Sequence, residues 1–282
     1  MVELLCPSKV NIVLKVLDRR EDGYHDLVSI FLPLKNPHDK LYIEKVDKKG
    51  LNLKCNIKEL EYNNIIHKAY VLFGESTGLW PGLNVSLEKN IPIGSGLGGG
   101  SSDAATLLKF LGNYLNCEHK EKVLLDIAKR CGADVPFFLK SKPALVQGIG
   151  DKIKEIQVNF HRQYIIVLCP QICISTKWAY RELDKKRETL DSNSLTIDTF
   201  EIKNMTHFGY RWWSNDFEDV VLGTYPDLLK IKSRCYMLGA RACVLSGSGS
   251  AMVALFTGLD SINMVKNFFE QRGLRVFVNK GV

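Results

Sequence analysis

Apolar positions two residues apart mark extended segments in the first third of the chain. Val10–Leu17 alternates around Ile12, Leu14 and Val16, with Asn11 and Lys15 between them, and reads as a strand. Asp22-Gly23-Tyr24-His25 reads as a turn and Leu27–Leu34 as a second extended segment. Leu41–Val46 and Leu51–Cys55 flank a Lys-Lys-Gly turn, which predicts a hairpin. From Asn63 to Gly74 the spacing changes. Apolar residues at 65, 66, 69, 72 and 73 form one helical face. Leu83, Val85 and Leu87 alternate again, and that strand runs directly into a glycine-rich loop.

Beyond the loop, Ala104, Leu107, Leu108, Leu111 and Leu115 predict a helix that starts near Ser102, with Ser101, Ser102 and Asp103 at its N-cap and first turn. Lys120–Cys131 predicts another, stopped by Gly132. Ile165–Leu168 reads as a buried strand before Pro170. Composition shifts after about residue 157, and Lys185–Asn204 is polar with little strand or helix signal. Helices near Tyr225–Gly239, a glycine-serine turn at 246–250, a strand at Ala251–Phe256 and a last helix and strand follow. This alternation predicts a second α+β half, with helices covering one face of its strands. There is no internal repeat and no low-complexity tract.

With 282 residues, 45% hydrophobic and 24% charged, the chain has an ordinary globular composition, which excludes disorder. The net charge of +7 suits an anionic metabolite and is compatible with nucleic acid, but the charges are scattered. Lys45–Lys49 and Lys185–Arg187 read as solvated faces. The eight cysteines, at 6, 55, 117, 131, 169, 173, 235 and 243, include no Cys-x-x-Cys pair, so reduced thiols are expected. Neither a secretory signal nor an apolar run long enough to span a bilayer is present, and a cytoplasmic location is expected.

The glycine loop carries the chemistry. Five glycines within residues 94–100 free successive amides to form an anion-binding nest, and the helix after it adds the positive end of its dipole. The Ser101 and Ser102 hydroxyls could reach phosphate or a phosphate-bound Mg²⁺. Residues 94–99 fit Gly-x-Gly-x-x-Gly, yet the acidic residue that a Rossmann unit places about 20 positions on is missing. Gly-Lys occurs nowhere, which excludes a Walker A loop, and the protein-kinase signatures are absent. Gly74-Glu75-Ser76-Thr77-Gly78 fits a nucleophile elbow only in spelling, because it ends a helix instead of following a strand.

Three further segments offer reactive groups. Asp134, held before Val135-Pro136-Phe137-Phe138, reads as a general base or as a capping aspartate. Lys9, in Pro7-Ser8-Lys9-Val10-Asn11, reads as a cation beside a reacting group or as a strand-end lysine. The Asp22–His25 turn offers an aromatic face and an imidazole, or is an ordinary turn.

Pro92-Ile93-Gly94-Ser95-Gly96-Leu97-Gly98-Gly99-Gly100-Ser101-Ser102 resembles the signature of the GHMP kinases, the superfamily of galactokinase and the homoserine, mevalonate and phosphomevalonate kinases. Within it the chain is similar to the branch whose acceptor is a cytidine diphosphate-linked polyol. That likeness rests on Pro7–Asn11, Asp22–His25, Asn63–Ile66, Lys89–Ala105, Gly132–Phe137, Gly148–Asp151 and Ser246–Ser250, in that order.

The resemblance implies an α/β fold of two lobes, a ribosomal-protein-domain-like lobe over residues 1–157 for ATP and a ferredoxin-like lobe over 158–282 contributing to the substrate site. It implies an ATP-dependent kinase acting with Mg²⁺ on a small-molecule alcohol, the mevalonate- or homoserine-type enzymes being the alternative. Asp134 becomes the base and Lys9 its cationic neighbour. Asn11, Tyr24, His25, Tyr180 and Ser246, Gly247, Ser248 and Gly249 would bind the substrate. Asn64, Lys89 and Pro92 through Ser102 would bind the nucleotide. Asp103 stands where relatives often carry Asn, and would adjust those contacts. No nucleic-acid or membrane partner is expected, and the chain would be a monomer or weak homodimer. The rival from another class is a nucleic-acid module, suggested by the basic charge and the ribosomal-protein-like lobe. Trp212 and Trp213 read as packing residues.

Overall fold

The computed structural model describes residues 1–115, 120–160, 162–189 and 210–281; Cys117 and much of the polar 185–204 stretch lie outside them. Two strands dominate the N-terminal sequence, β1 (Val2–Arg19) and β2 (His25–Val46). Both are longer than the alternation predicts, since Pro7, Pro33 and Pro37 interrupt the pattern without ending the strands. The chain divides into two compact units that share these strands. One comprises Met1–Ser8, Pro37–Pro92 and Gly98–Lys142; the other comprises Lys9–Asn36, Ile93–Leu97 and Pro143–Val282.

In the first unit, β3 (Gly50–Cys55) does not pair with β2 as a hairpin. Instead β4 (Gly82–Glu88) lies between them, antiparallel to β2 over Lys40–Val46 and parallel to β3. A parallel pair needs a crossover, and α1 (Ile65–Thr77) supplies it. Gly82 makes room for the insertion: a Cβ there would lie 2.2 Å from the Lys48 carbonyl oxygen and 2.3 Å from that of Val46. The helix α1 is capped by Asn64, whose side chain accepts from the Ile66 amide at 3.0 Å. It ends on Gly78 at φ 73°, so the Gly-x-Ser-x-Gly spelling is a helix-ending turn.

The helix after the glycine loop, α2 (Gly99–Leu111), starts three residues earlier than the spacing predicts and packs on α1 and on α4 (Val135–Lys140). Between them in sequence, α3 (Lys120–Cys131) also packs on α1 and buries Leu124, Ile127 and Ala128.

In the second unit, β5 (Ala144–Gly148) pairs antiparallel with β2 over Leu27–Phe31 and with β6 (Lys152–Glu155). A four-stranded antiparallel sheet follows the order β11-β7-β10-β9, from β7 (Tyr164–Cys169), β9 (Ala242–Leu245), β10 (Met252–Phe256) and β11 (Arg275–Lys280). Alternate residues of these strands, among them Ile166, Leu168, Met252, Ala254 and Phe256, meet one layer of helices as expected. That layer comprises α5 (Thr176–Thr189), α6 (Glu218–Thr224), α7 (Pro226–Met237) and α8 (Leu259–Glu270). The short strand β8 (Ser214–Asn215) pairs parallel with β1 at Val13 and Leu14. Trp213 packs edge-on against Phe160, as the packing reading expects, whereas Trp212 is 40% exposed and does not fit it.

Candidate active site

The helix α2 begins on Gly98, whose φ of 70° suits glycine, and no side chain caps it. The first amides of α2 therefore lack intrahelical acceptors, a disposition that favours an anion. One turn in, the Ser102 hydroxyl is buried and has no partner among the described residues. A buried, unsatisfied hydroxyl is costly unless a ligand oxygen or cation completes it. No cluster of three His, Cys, Asp or Glu suited to a metal occurs among the described residues. A Mg²⁺ bound with nucleotide phosphates fits these donors, with Ser102 as the hydroxyl that would reach it.

Asp103 is buried and lies beyond the first turn of α2, not within it as the helical spacing predicts. It accepts from Lys89 Nζ at 2.8 Å, and Lys89 Nζ also donates to Asp39. A Cβ at Gly99 would lie 3.1 Å from the same ammonium, which places Lys89 beneath the start of α2.

Asp39, which sequence reasoning missed, is fully buried and also accepts from the amides of Asn90, at 2.5 Å, and Ile91, at 2.7 Å. It thereby fixes the backbone that leads into the loop. Burial, opposed by Lys89 and reinforced by the nearby Asp39 charge, raises the Asp103 pKa to about 7. Burial works against the charge of Lys89, but Asp103 and Asp39 outweigh it and raise its pKa. Of the other nucleotide candidates in this unit, Asn64 uses its side chain to cap α1. Asp134 is half-buried at the start of α4 and makes no capping hydrogen bond, so the capping alternative does not describe it.

The second unit holds Lys9 and Asn11. Lys9 is 4% exposed, not the exposed strand-end lysine of the alternative reading. Its Nζ donates to Asn11 Oδ1 at 2.7 Å and lies 4.4 Å from the Phe31 ring centroid. Asn11 Nδ2 donates to Ser29 Oγ at 2.9 Å, and Ser29 in turn donates to the Val13 carbonyl. The Lys9 amide donates to the Leu97 carbonyl at 2.9 Å.

Residues 93–97 of the glycine loop rest on the 246–250 turn within the same unit. Ser246 Oγ donates to the Gly96 carbonyl at 3.2 Å, and the Ala251 amide donates to that of Ser95. Gly96 has φ 80°, and a Cβ there would come 2.1 Å from the Ser246 carbonyl oxygen. Asn215 holds the turn from below through the Leu245 and Gly247 carbonyls, and the Thr176 and Ser248 hydroxyls meet at 2.8 Å.

The Asp22–His25 turn is closed by Asp22, which accepts from the Tyr24 amide at 3.1 Å, with Gly23 at φ 84°. Tyr24 is 64% exposed, while His25 is buried against α5. Tyr180 stacks on the imidazole with centroids 5.1 Å apart, and Asp184 Oδ1 lies 2.8 Å from Nε2. Asp184 is a second residue that the sequence reading missed.

Residues 64–142 match the GHMP kinases N terminal domain. Over 95% of its length the chain is 40% identical to the 4-diphosphocytidyl-2-C-methyl-D-erythritol kinase of Lawsonia intracellularis, covering 93% of that protein. The chain belongs to this kinase family. It is 35% identical, over 98% of its length and 97% of the relative's, to the Nitratidesulfovibrio vulgaris member. A crystal structure of 4-(cytidine 5'-diphospho)-2C-methyl-D-erythritol kinase superposes with a TM-score of 0.78 at 31% identity, covering all of both chains. The Cytophaga hutchinsonii homoserine kinase (TM-score 0.68, 19% identity) and the Methanococcus jannaschii mevalonate kinase (0.69, 13%) share the fold alone. The fold is thus the two-lobed, mixed α/β GHMP kinase fold expected from the glycine loop, and the chain is a kinase that takes ATP as phosphate donor.

Proposed function

We propose that this kinase transfers the γ-phosphoryl group of ATP to the 2-hydroxyl of 4-diphosphocytidyl-2-C-methyl-D-erythritol, a step of the non-mevalonate isoprenoid pathway. The observation that carries the reading is the near full-length kinship with 4-diphosphocytidyl-2-C-methyl-D-erythritol kinases at 40% identity. In the reaction the acceptor oxygen forms a bond to the γ-phosphorus, the bond to ADP breaks, and the hydroxyl proton leaves to a base. Such transfer rests on positioning and charge stabilisation more than on covalent chemistry by the protein.

Asp134 takes the proton. Lys9, kept in place by Asn11 Oδ1, stabilises negative charge as it develops on the acceptor. Asn11 binds the substrate near its hydroxyl. The open amides of α2, with Pro92, Ile93 and residues 94–102, cradle the phosphates; a Mg²⁺ bound with the nucleotide would be reached by the orphaned Ser102 hydroxyl and would neutralise phosphate charge. Lys89, Asp103 and Asn64 border the nucleotide. Tyr24, His25 and Tyr180 frame the cytosine, and Ser246, Gly247, Ser248 and Gly249 close on the diphosphate. Residues 1–157 bind ATP and also supply Asn11, Tyr24 and His25 to the substrate site, to which 158–282 contribute the rest. The enzyme acts as a cytoplasmic monomer or weak homodimer, without a nucleic-acid or membrane partner.

ADP release driven by the cytidylyl substrate, but not by mevalonate or homoserine, is the expected result. Faster release with either of the latter would overturn the assignment of substrate.

A further inference from the structure

His25 is gripped on two sides by one helix. Tyr180 and Asp184 are four residues apart on α5 and so face the same way. Tyr180 covers the face of the imidazole, with ring planes 17° apart, and Asp184 takes its edge through Nε2. Tyr180 is itself held by the edge of Phe217, centroids 4.8 Å apart at 90°. The His25 side chain is only 6% exposed, so the ring has little room to turn over.

A carboxylate only accepts hydrogen bonds, hence Nε2 carries the hydrogen in this pair. A neutral imidazole with hydrogen on Nε2 offers Nδ1 as an acceptor, and Nδ1 has no partner among the described residues. Cytosine and uracil differ at the matching edge: the exocyclic amine of cytosine donates, where uracil has a carbonyl that accepts.

We propose that Asp184 is a positioning residue that fixes the Nε2–H form of His25, so that Nδ1 accepts from the cytosine amine and a uracil carbonyl is refused. The inference rests on the substrate reading above and adds to it the origin of base choice. A site built to receive a hydrogen bond discriminates strongly, because the wrong base leaves two acceptors facing each other.

The test compares the cytidine-linked substrate with its uridine counterpart in the wild type, Asp184→Ala and Asp184→Asn, alongside ¹⁵N NMR of the His25 ring. The wild type should prefer cytidine and show hydrogen on Nε2. Asp184→Ala should lose about tenfold in kcat/KM for the cytidine substrate, mostly through KM. The uridine compound should lose less, so the ratio between the two narrows, while the KM for ATP stays put. Asp184→Asn, which keeps an acceptor for Nε2–H, should restore most of the preference and serves if the alanine variant does not fold. An unchanged cytidine-to-uridine ratio in Asp184→Ala, or hydrogen on Nδ1 in the wild type, would overturn the proposal. If the wild type turns over neither compound, the substrate reading is what fails, and the NMR result still decides the role of Asp184.

Discussion

Two buried carboxylates share one ammonium beside α2, and they are not equivalent. Asp39 receives two backbone amides and Lys89, whereas among the described residues Asp103 receives Lys89 alone and its Oδ1 has no donor. Asp103 thus holds a proton that the unfolded chain has already released between about pH 4 and about pH 7. The folded state binds more protons in that window, so stability falls as pH rises through it. The slope is at most about 1.4 kcal/mol per pH unit. Asp103→Asn keeps the shape, removes the charge and should flatten that slope, read from urea midpoints across the window; an unchanged slope would place the titration elsewhere. Asp134→Asn tests a different residue. Since Asp134 caps nothing, the substitution removes no capping bond. It should lower kcat by about a hundredfold or more with little change in ATP binding, measured by turnover and nucleotide titration. Asp134 and Lys9 stood out in the sequence because each is an isolated charge among apolar neighbours. Asp39 did not: in Asn36-Pro37-His38-Asp39 it reads as part of a turn, and its partners come from Lys89–Ile91, some 50 positions away.

At the scale of elements, alternation and helical spacing identified segments but not their partners. The pattern at 41–46 and 51–55 marks two real strands, but the hairpin inferred from the turn between them ignored the later strand that slots in beside Gly82. Helix α5 escaped notice because its sequence is strongly polar; its apolar residues are few and confined to Trp178, Ala179, Tyr180 and Leu183. The glycine loop was legible in composition, yet its support on the 246–250 turn was not, since that contact joins residues 150 positions apart. Gly96→Ala probes the support. A Cβ would meet the Ser246 carbonyl oxygen at 2.1 Å in a backbone region that disfavours side chains. We expect a loss of about 1–3 kcal/mol in stability and at least a tenfold drop in kcat/KM, whereas Ser246→Ala, which removes the hydroxyl's bonds to the Gly96 carbonyl and the Asn11 amide but leaves the close backbone approach intact, should cost clearly less in both. Equal effects of the two would mean that the hydroxyl, not the close approach, holds the loop.

At the scale of the whole molecule, neither compact unit is continuous in sequence, and the second draws on Lys9–Asn36 as well as on the C-terminal half. The dependence is chemical as well as topological. Asp216, just after β8, accepts from Lys15 at 2.9 Å, from Arg187 at 3.1 Å and from the Val16 amide at 3.0 Å. The Asp216 amide in turn donates to the Leu14 carbonyl. The Asp216 and Lys15 side chains are only 14% and 11% exposed. Without β1, Asp216 would keep Arg187 alone, and Leu14 and Val16 would leave a gap in the core that Phe217 and Val221 line. Removing one side of such a buried ion pair costs about 3–5 kcal/mol, comparable to the whole stability of a marginal domain. A fragment of residues 158–282 alone should therefore show poor amide dispersion and no cooperative thermal transition, and adding nucleotide should not rescue it. A cooperative transition with dispersed amides in that fragment would show that the C-terminal sequence folds without β1.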